Sequence, residues 1–243
     1  MSHWSCEGGV CRLVEDEPED ENGEAAGEGA SAAAASSTAP LKIGVLVSGS
    51  GTNLQAIIDR IAKGSLNAEV ALVVSSRPGV RGIERAQAAG LPVLVMEKSE
   101  YAADAEAADR KIATALKDAG CEYVIMAGYM RMVRKPLLEA YPGRIVNLHP
   151  ALLPSFKGAH AIQDAFDYGV KVTGVTVHFA DDKYDCGPII AQRALTVEED
   201  WDVDELETHI HAIEHELYPE VIGWLAAGRI HLRDNGRVDI DPA

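Results

Sequence analysis

Two short stretches carry groups able to hold a developing negative charge and to move protons. In "RIVNLHP" the apolar run reads as a strand, so its side chains alternate: Asn147 and His149 project to one side and Leu148 to the other. Pro150 then stops ladder pairing. An amide N–H beside an imidazole suits an oxyanion, since the amide donates to it while the imidazole supplies or removes a proton. The second stretch, "HFADDKYDCGP" at residues 178–188, follows another apolar run and carries Asp181, Asp182 and Asp185. A carboxylate beside an imidazole raises its proton affinity, and spacing alone leaves open which of the three acids does so.

A third stretch, "VSGSGTN" at residues 47–53, lies between an apolar run and the amphipathic segment "NLQAIIDRI". Glycines at 49 and 51 permit a tight turn whose N–H groups approach a ligand, and the helix start adds unpaired donors and a positive dipole end. The turn has neither the Gly-Lys-Ser/Thr of a nucleoside-triphosphate loop nor the third glycine of a dinucleotide fingerprint. It therefore fits a single phosphate. The plainer alternative is that Thr52 or Asn53 merely caps the helix.

These stretches need a scaffold, and the chain supplies a regular one. Apolar runs "KIGVLVSG", "EVALVVSS", "LPVLVM", "EYVIMAGY" and "RIVNLH" alternate with helical segments, among them 53–63 and 104–119. Continuous apolar strands alternating with helices mean a parallel sheet covered on both faces. After residue 170 the rhythm changes: "KVTGVTVHFA" and "GPIIAQRALTV" read as an antiparallel pair, followed by a long helix over 203–227 and a short terminal hairpin. The expected class is α/β: a Rossmann-like open sheet, mostly parallel with an antiparallel C-terminal part, and helices on both faces. In such sheets ligands bind beyond the carboxyl ends of the strands, where Asn147 and His149 fall.

With 243 residues, 47% of them hydrophobic, the chain can bury one full-sized core. Residues 1–40 hold nine acids against Arg12 and little to bury, so we expect a disordered acidic tail there and one folded domain over 41–243. The formal charge of −16 argues against a nucleic-acid surface, and an anionic substrate must be held by a local device. No run is apolar enough to span a bilayer and the first residues do not suit a signal peptide, so a cytoplasmic protein without a membrane partner is expected. Cys6, Cys11, Cys121 and Cys186 form no C-x-x-C pair, and no metal site is expected.

The segments "GVLVSGSGTNLQAIID", "AGYMRMV", "IVNLHPALLPSFKG", "TGVTVHFADDKYDCGPIIAQ" and "EHELYP", in this order, resemble the folate-dependent formyltransferases over residues 42–232. The resemblance implies formyl transfer from 10-formyltetrahydrofolate to the amine of glycinamide ribonucleotide in purine biosynthesis, by a monomer or homodimer without a metal. It implies a catalytic trio of Asn147, His149 and Asp185, with Asp185 holding His149 charged. Gly51, Thr52 and Asn53 would cradle the substrate phosphate, with Met130, Pro150 and Glu214 along the rest of that substrate. Arg131, Met132, Val133, Asn147, Asp181 and Asp185 would line the folate pocket. The sequence departs from the family pattern at Ala151 and Cys186, and in "KSEYAADAEAADRK", where an arginine is common and Lys98 or Arg110 would have to substitute. Rival readings are a formyltetrahydrofolate hydrolase, a tRNA-directed formyltransferase, each expected to need a further domain, and a binding protein without turnover.

Overall fold

A computed structural model describes residues 39–242 and the backbone of residues 2–7 and 10–15. The latter two segments, β1 (Ser2–Glu7) and β2 (Val10–Glu15), pair antiparallel with Ser2 opposite Glu15. They lie within the stretch where an acidic disordered tail is expected, and Trp4, Val10 and Val14 there are residue types that suit strands. The rest of that expectation falls largely on residues 1, 8–9 and 16–38, outside the described residues.

The second unit is an α/β sheet. Its strands are β3 (Leu41–Val47), β4 (Ala68–Ser75), β5 (Val93–Val95), β6 (Tyr123–Met126), β7 (Ile145–His149), β8 (Val172–Phe179) and β9 (Ile189–Thr196), in the order β5-β4-β3-β6-β7-β8-β9. β3 to β7 pair parallel, whereas β8 runs antiparallel to β7 and β9 antiparallel to β8. The helices are α1 (Thr52–Ala62), α2 (Arg81–Ala88), α3 (Lys98–Ala103), α4 (Ala105–Asp118), α5 (Lys135–Ala140), α6 (Ala161–Tyr168) and α7 (Val203–Ala226). β10 (Ile230–Leu232) and β11 (Val238–Ile240) form the expected terminal hairpin.

Strand alternation builds two cores. Ile43, Val45 and Val47 of β3 pack with Leu54 and Ile57 of α1 and with α7, while Leu46 packs on the other face with Ile112 and Leu116 of α4. Val146 and Leu148 join the first core and Ile145 the second, so Asn147 and His149 open on the α4 side. The chain steps outward from β3 to β5 and then returns to β6 on the other flank of β3. The strand order thus reverses between β3 and β6, opening a crevice at their carboxyl ends. The 48–51 turn and the 127–134 loop border it.

α7 braces this end of the sheet. The fully buried Tyr218 hydroxyl lies 2.9 Å from the Val146 carbonyl and 3.1 Å from that of Met126, bridging β7 and β6 just below Asn147. Pro219 sits inside α7 without an N–H to donate, so the His215 carbonyl lacks the usual helical partner. Among the described residues no helix is long and apolar enough to cross a membrane.

Candidate active site

Asn147, His149 and Asp185 converge. Antiparallel register sets Asn147 opposite His178 and His149 opposite Thr176, so four polar side chains from β7 and β8 share one face. The β8–β9 connection then brings Asp185 back over them. Its Oδ2 lies 3.5 Å from His149 Nδ1, and its Oδ1 lies 3.5 Å from Asn147 Nδ2 and 3.6 Å from His178 Nε2. Of the three acids left open by spacing, Asp185 is therefore the one beside the imidazole. Asp181 instead accepts the Lys183 N–H at 2.9 Å, and Asp182 is exposed.

Partner chemistry fixes the tautomer of His149. His149 Nε2 is 2.8 Å from the Phe156 carbonyl, which can only accept, so Nε2 carries the proton and Nδ1 of the neutral ring presents a lone pair toward Asp185. His178 Nδ1 is 2.8 Å from the Phe179 carbonyl, and its Nε2 lies 3.1 Å from Asn147 Nδ2 and 3.6 Å from Asp185 Oδ1. The amide nitrogen of Asn147 thus faces both the His178 ring and the Asp185 carboxylate. His178, 2% exposed, is a site residue that sequence reasoning missed. The available signal was a lone imidazole in the otherwise apolar "VTVHF".

The 151–158 loop wraps this cluster. Thr176 Oγ1 donates to the Ala151 carbonyl at 2.7 Å and accepts the Leu153 N–H at 3.1 Å. The Gly158 N–H donates to Asp185 Oδ2 at 2.8 Å. Leu153–Pro154 is cis. Among the described residues the non-glycine positions with positive φ are Phe156 (φ 50°) and Asp185 (φ 51°), both in this cluster. Left-handed backbone at non-glycine residues concentrates at functional sites because surrounding contacts must impose it. Here the imposing contacts are His149 on the Phe156 carbonyl and Gly158 on the Asp185 carboxylate.

The electrostatics bear on the charge of His149. Burial pushes the His149 imidazole below its ordinary value, and the opposing influences of Asp185 and the Phe156 carbonyl do not restore it. That direction favours the neutral ring over the charge that the resemblance implies. Burial also pushes the Asp185 carboxyl up, but its contact with His178, the Gly158 N–H and the nearby imidazoles outweigh burial and hold it below the ordinary range. The buried Glu214 moves the other way: burial raises it more than the Asn53 amide and His211 lower it.

A pH prediction follows from His149. Because the unfolded imidazole titrates near ~6.5 and the folded one below that, the unfolded chain binds more protons in between. Stability contributed by neutral His149 is present above ~6.5 and is lost as pH falls toward the folded value. Asp185 adds a loss of the same sign below ~4, whereas Glu214 acts oppositely above ~4.3. The expected result is that His149→Gln loses less melting temperature than the parent between pH 7.5 and 5.5. Parallel curves would contradict it.

At the glycine turn, Gly51 occupies the N-cap of α1 at φ 70°, with no side chain to offer a cap bond. A Cβ there would meet the Gly82 Cα at 2.6 Å as well as adopt a left-handed backbone. Gly51→Ala should cost about 1–3 kcal/mol in urea unfolding, and an unchanged midpoint would show that the turn relaxes. The Asn53 side chain donates to Glu214 Oε2 at 2.9 Å, joining α1 to α7. Thr52 begins α1. The Met130 N–H donates to Ser48 Oγ at 2.9 Å, tying the 127–134 loop to the turn, and its side chain is 69% exposed. Pro150 closes β7, half-buried.

Arg131, Met132 and Val133 line a pocket together with Met126, Asn147, His178, Asp181 and Asp185. The guanidinium of Arg131 lies 3.7 Å from the Tyr101 ring centroid, and the Tyr101 hydroxyl is 2.9 Å from that of Tyr129. Of the candidates in "KSEYAADAEAADRK", Arg110 is engaged by Asp104 at 3.4 Å and Glu106 at 3.6 Å. The residue of that segment that reaches the pocket wall is Tyr101, through its stack on Arg131. Lys157 Nζ donates to the Cys186 sulfur at 2.9 Å beside the pocket. Among the described residues no cluster of three His, Cys, Asp or Glu side chains suits a metal ion.

The chain matches the family model for formyl transferase over residues 41–222. Phosphoribosylglycinamide formyltransferase of Bacillus subtilis is 42% identical over 181 residues, covering 74% of this chain and 92% of that protein. The trifunctional purine biosynthetic protein adenosine-3 of Gallus gallus is 37% identical over 201 residues; this chain spans only 20% of its length. Glycinamide ribonucleotide transformylase 1 of Symbiobacterium toebii superposes with a TM-score of 0.80 at 46% identity, covering 84% of this chain and 95% of that one. The Bacillus halodurans phosphoribosylglycinamide formyltransferase superposes with a TM-score of 0.73 at 44% identity, covering 76% and 94%. With three quarters of its length matched by the family model, and the polar cluster sitting at the sheet's crevice, the chain belongs to the formyl transferase family.

Proposed function

We propose that this chain transfers the formyl group of 10-formyltetrahydrofolate to the amine of glycinamide ribonucleotide, by direct attack. The observation that carries the reading is the commitment of His149 Nε2 to the Phe156 carbonyl, which leaves Nδ1 as a lone-pair base 3.5 Å from Asp185. The substrate amine attacks the formyl carbon, a C–N bond forms, and the carbonyl electron pair moves onto oxygen. Asn147 donates an N–H to that oxygen. The amine proton passes to His149 Nδ1, directly or through a water, and the imidazolium so formed is stabilised by the Asp185 carboxylate. When the oxygen pair returns, the bond to the folate N10 breaks and that nitrogen takes the proton from His149. No covalent enzyme intermediate is required.

The phosphate would rest on the N–H groups of Gly51, Thr52 and Asn53, with Glu214, Met130 and Pro150 along the ribose and glycinamide. The folate would lie against Met132, Val133 and the stacked Arg131, with Asn147, Asp181 and Asp185 at its polar edge. That lining sets the apolar Met126, Met132, Val133 and Ala180 beside polar groups such as Arg131, Asn147 and Asp185, a mixture able to meet both the ring faces and the polar edges of a heteroaromatic ligand.

An absorbance assay supplying both substrates tests the reading. Loss of 10-formyltetrahydrofolate should require glycinamide ribonucleotide and should yield its formyl amide. Release of formate without the amine would make the chain a hydrolase instead. Saturable binding of both ligands without product would make it a binding protein.

A further inference from the structure

A chain of formal charge −16 must still hold a phosphate dianion. We propose that Arg85, assisted by Arg77, is the positioning residue that turns the 48–51 backbone outward to receive that phosphate; this rests on the reading that the turn holds it. Three successive carbonyls of the turn are each engaged from the second βα unit. Arg77 Nε donates to the Ser48 carbonyl at 2.7 Å, the Gly82 N–H to the Gly49 carbonyl at 3.0 Å, and Arg85 Nε to the Ser50 carbonyl at 2.9 Å.

In a trans peptide the C=O and the following N–H point in opposite directions. Fixing carbonyls 48, 49 and 50 toward α2 therefore directs the N–H groups of Gly49, Ser50 and Gly51 the other way. Among the described residues none of those three meets a protein acceptor. They adjoin the unpaired N–H groups of the first turn of α1, making a concave row of donors. Arg85 also clamps that turn, donating through Nη1 to Gln55 Oε1 at 3.1 Å. Gly82 must be small for this arrangement, since its own Cβ would meet the Gly49 carbonyl at 3.2 Å.

The two arginines add charge as well as geometry. Among the described residues neither guanidinium is paired with a carboxylate, so both keep a net positive field behind the turn. They are the local device that the acidic composition requires.

The experiment compares glycinamide ribonucleotide with its dephosphorylated riboside as formyl acceptors, using the full chain and the variants Arg85→Met, Arg85→Lys and Arg77→Met. The parent should strongly prefer the phosphorylated acceptor. Arg85→Met should raise KM for it by about tenfold, with kcat within about twofold and kcat/KM on the riboside unchanged. Arg85→Lys, which keeps the charge without the aligned Nε–H, should recover only part of the loss. Arg77→Met should act in the same direction more weakly. A parent indifferent to the phosphate would refute the phosphate reading itself. A parent that discriminates, with an Arg85→Met variant that discriminates equally well, would overturn the role of Arg85. Equal losses on both acceptors would also overturn it, by making Arg85 a purely structural residue. Should Arg85→Met fail to fold, the selective KM increase in Arg85→Lys and Arg77→Met carries the test, and its absence in both overturns the proposal.

Discussion

Replacing Asp185 by asparagine is expected to lower kcat by about 10³-fold, within the ~10²–10⁴ range of general acid–base contributions, while KM for the phosphorylated acceptor changes less than about threefold. The reason lies in what the substitution keeps and what it reverses. The substituted side chain can still accept the Gly158 N–H through its remaining oxygen, so the loop geometry held by that 2.8 Å bond survives. Its amide nitrogen, however, carries no charge to stabilise an imidazolium. With the oxygen kept on the Gly158 N–H at the Oδ2 position, that nitrogen takes the Oδ1 position, 3.5 Å from Asn147 Nδ2, where two N–H donors then face each other. A thousandfold loss corresponds to ~4 kcal/mol of barrier. On the proposed reading the phosphate is held at the other end of the acceptor, so binding should persist. Steady-state kinetics with both substrates, alongside a melting curve, checks this. A variant retaining more than a tenth of the parent kcat would remove Asp185 from the proton path.

Truncating Asn147 to alanine should cost about 10²–10³-fold in kcat, the range measured when one oxyanion donor is deleted, or ~2.7–4 kcal/mol. Its nitrogen lies 3.1 Å from His178 Nε2 and is only loosely engaged by Asp185, with Oδ1 at 3.5 Å. The loosely held N–H can turn to an oxygen that becomes negative, which is why the effect should fall on kcat more than on KM. His178→Phe supplies the control. It leaves the Asn147 amide in place but removes the ring nitrogen that orients it, so a smaller loss of about tenfold is expected. If Asn147→Ala raised KM for folate and left kcat intact, the amide would be a binding contact alone.

The alternation of apolar strands and helices made the sheet, its two covered faces and its antiparallel end legible in the sequence, because burial on both sides of a parallel strand leaves an unbroken apolar run. The pairing of Asn147 with His149 on one face was likewise readable, since the period of a strand is a local property. The glycine turn could be located, because only glycine accepts the backbone of residue 51 without strain. In each case neighbours within a few residues determine the outcome.

What the chain order could not supply was contact between distant segments and the dielectric those contacts create. Asp185 was one of three acids until the β8–β9 connection, held at φ 51° by the Gly158 bond, carried it over His149. His178 was an unexplained imidazole until register set it against Asn147, and Tyr101 was an ordinary helix residue until it stacked on Arg131. Arg77 and Arg85 lie about thirty residues beyond the carbonyls they engage, one βα unit later. The direction of the His149 shift was not readable for the same reason: proximity to an acid can be inferred from a motif, but burial is a sum over the whole fold, and here it outweighs the acid. Residue types and local periodicity determined the scaffold and the inventory of reactive groups; tertiary packing alone decided which groups meet, which protons they hold and which way the backbone faces.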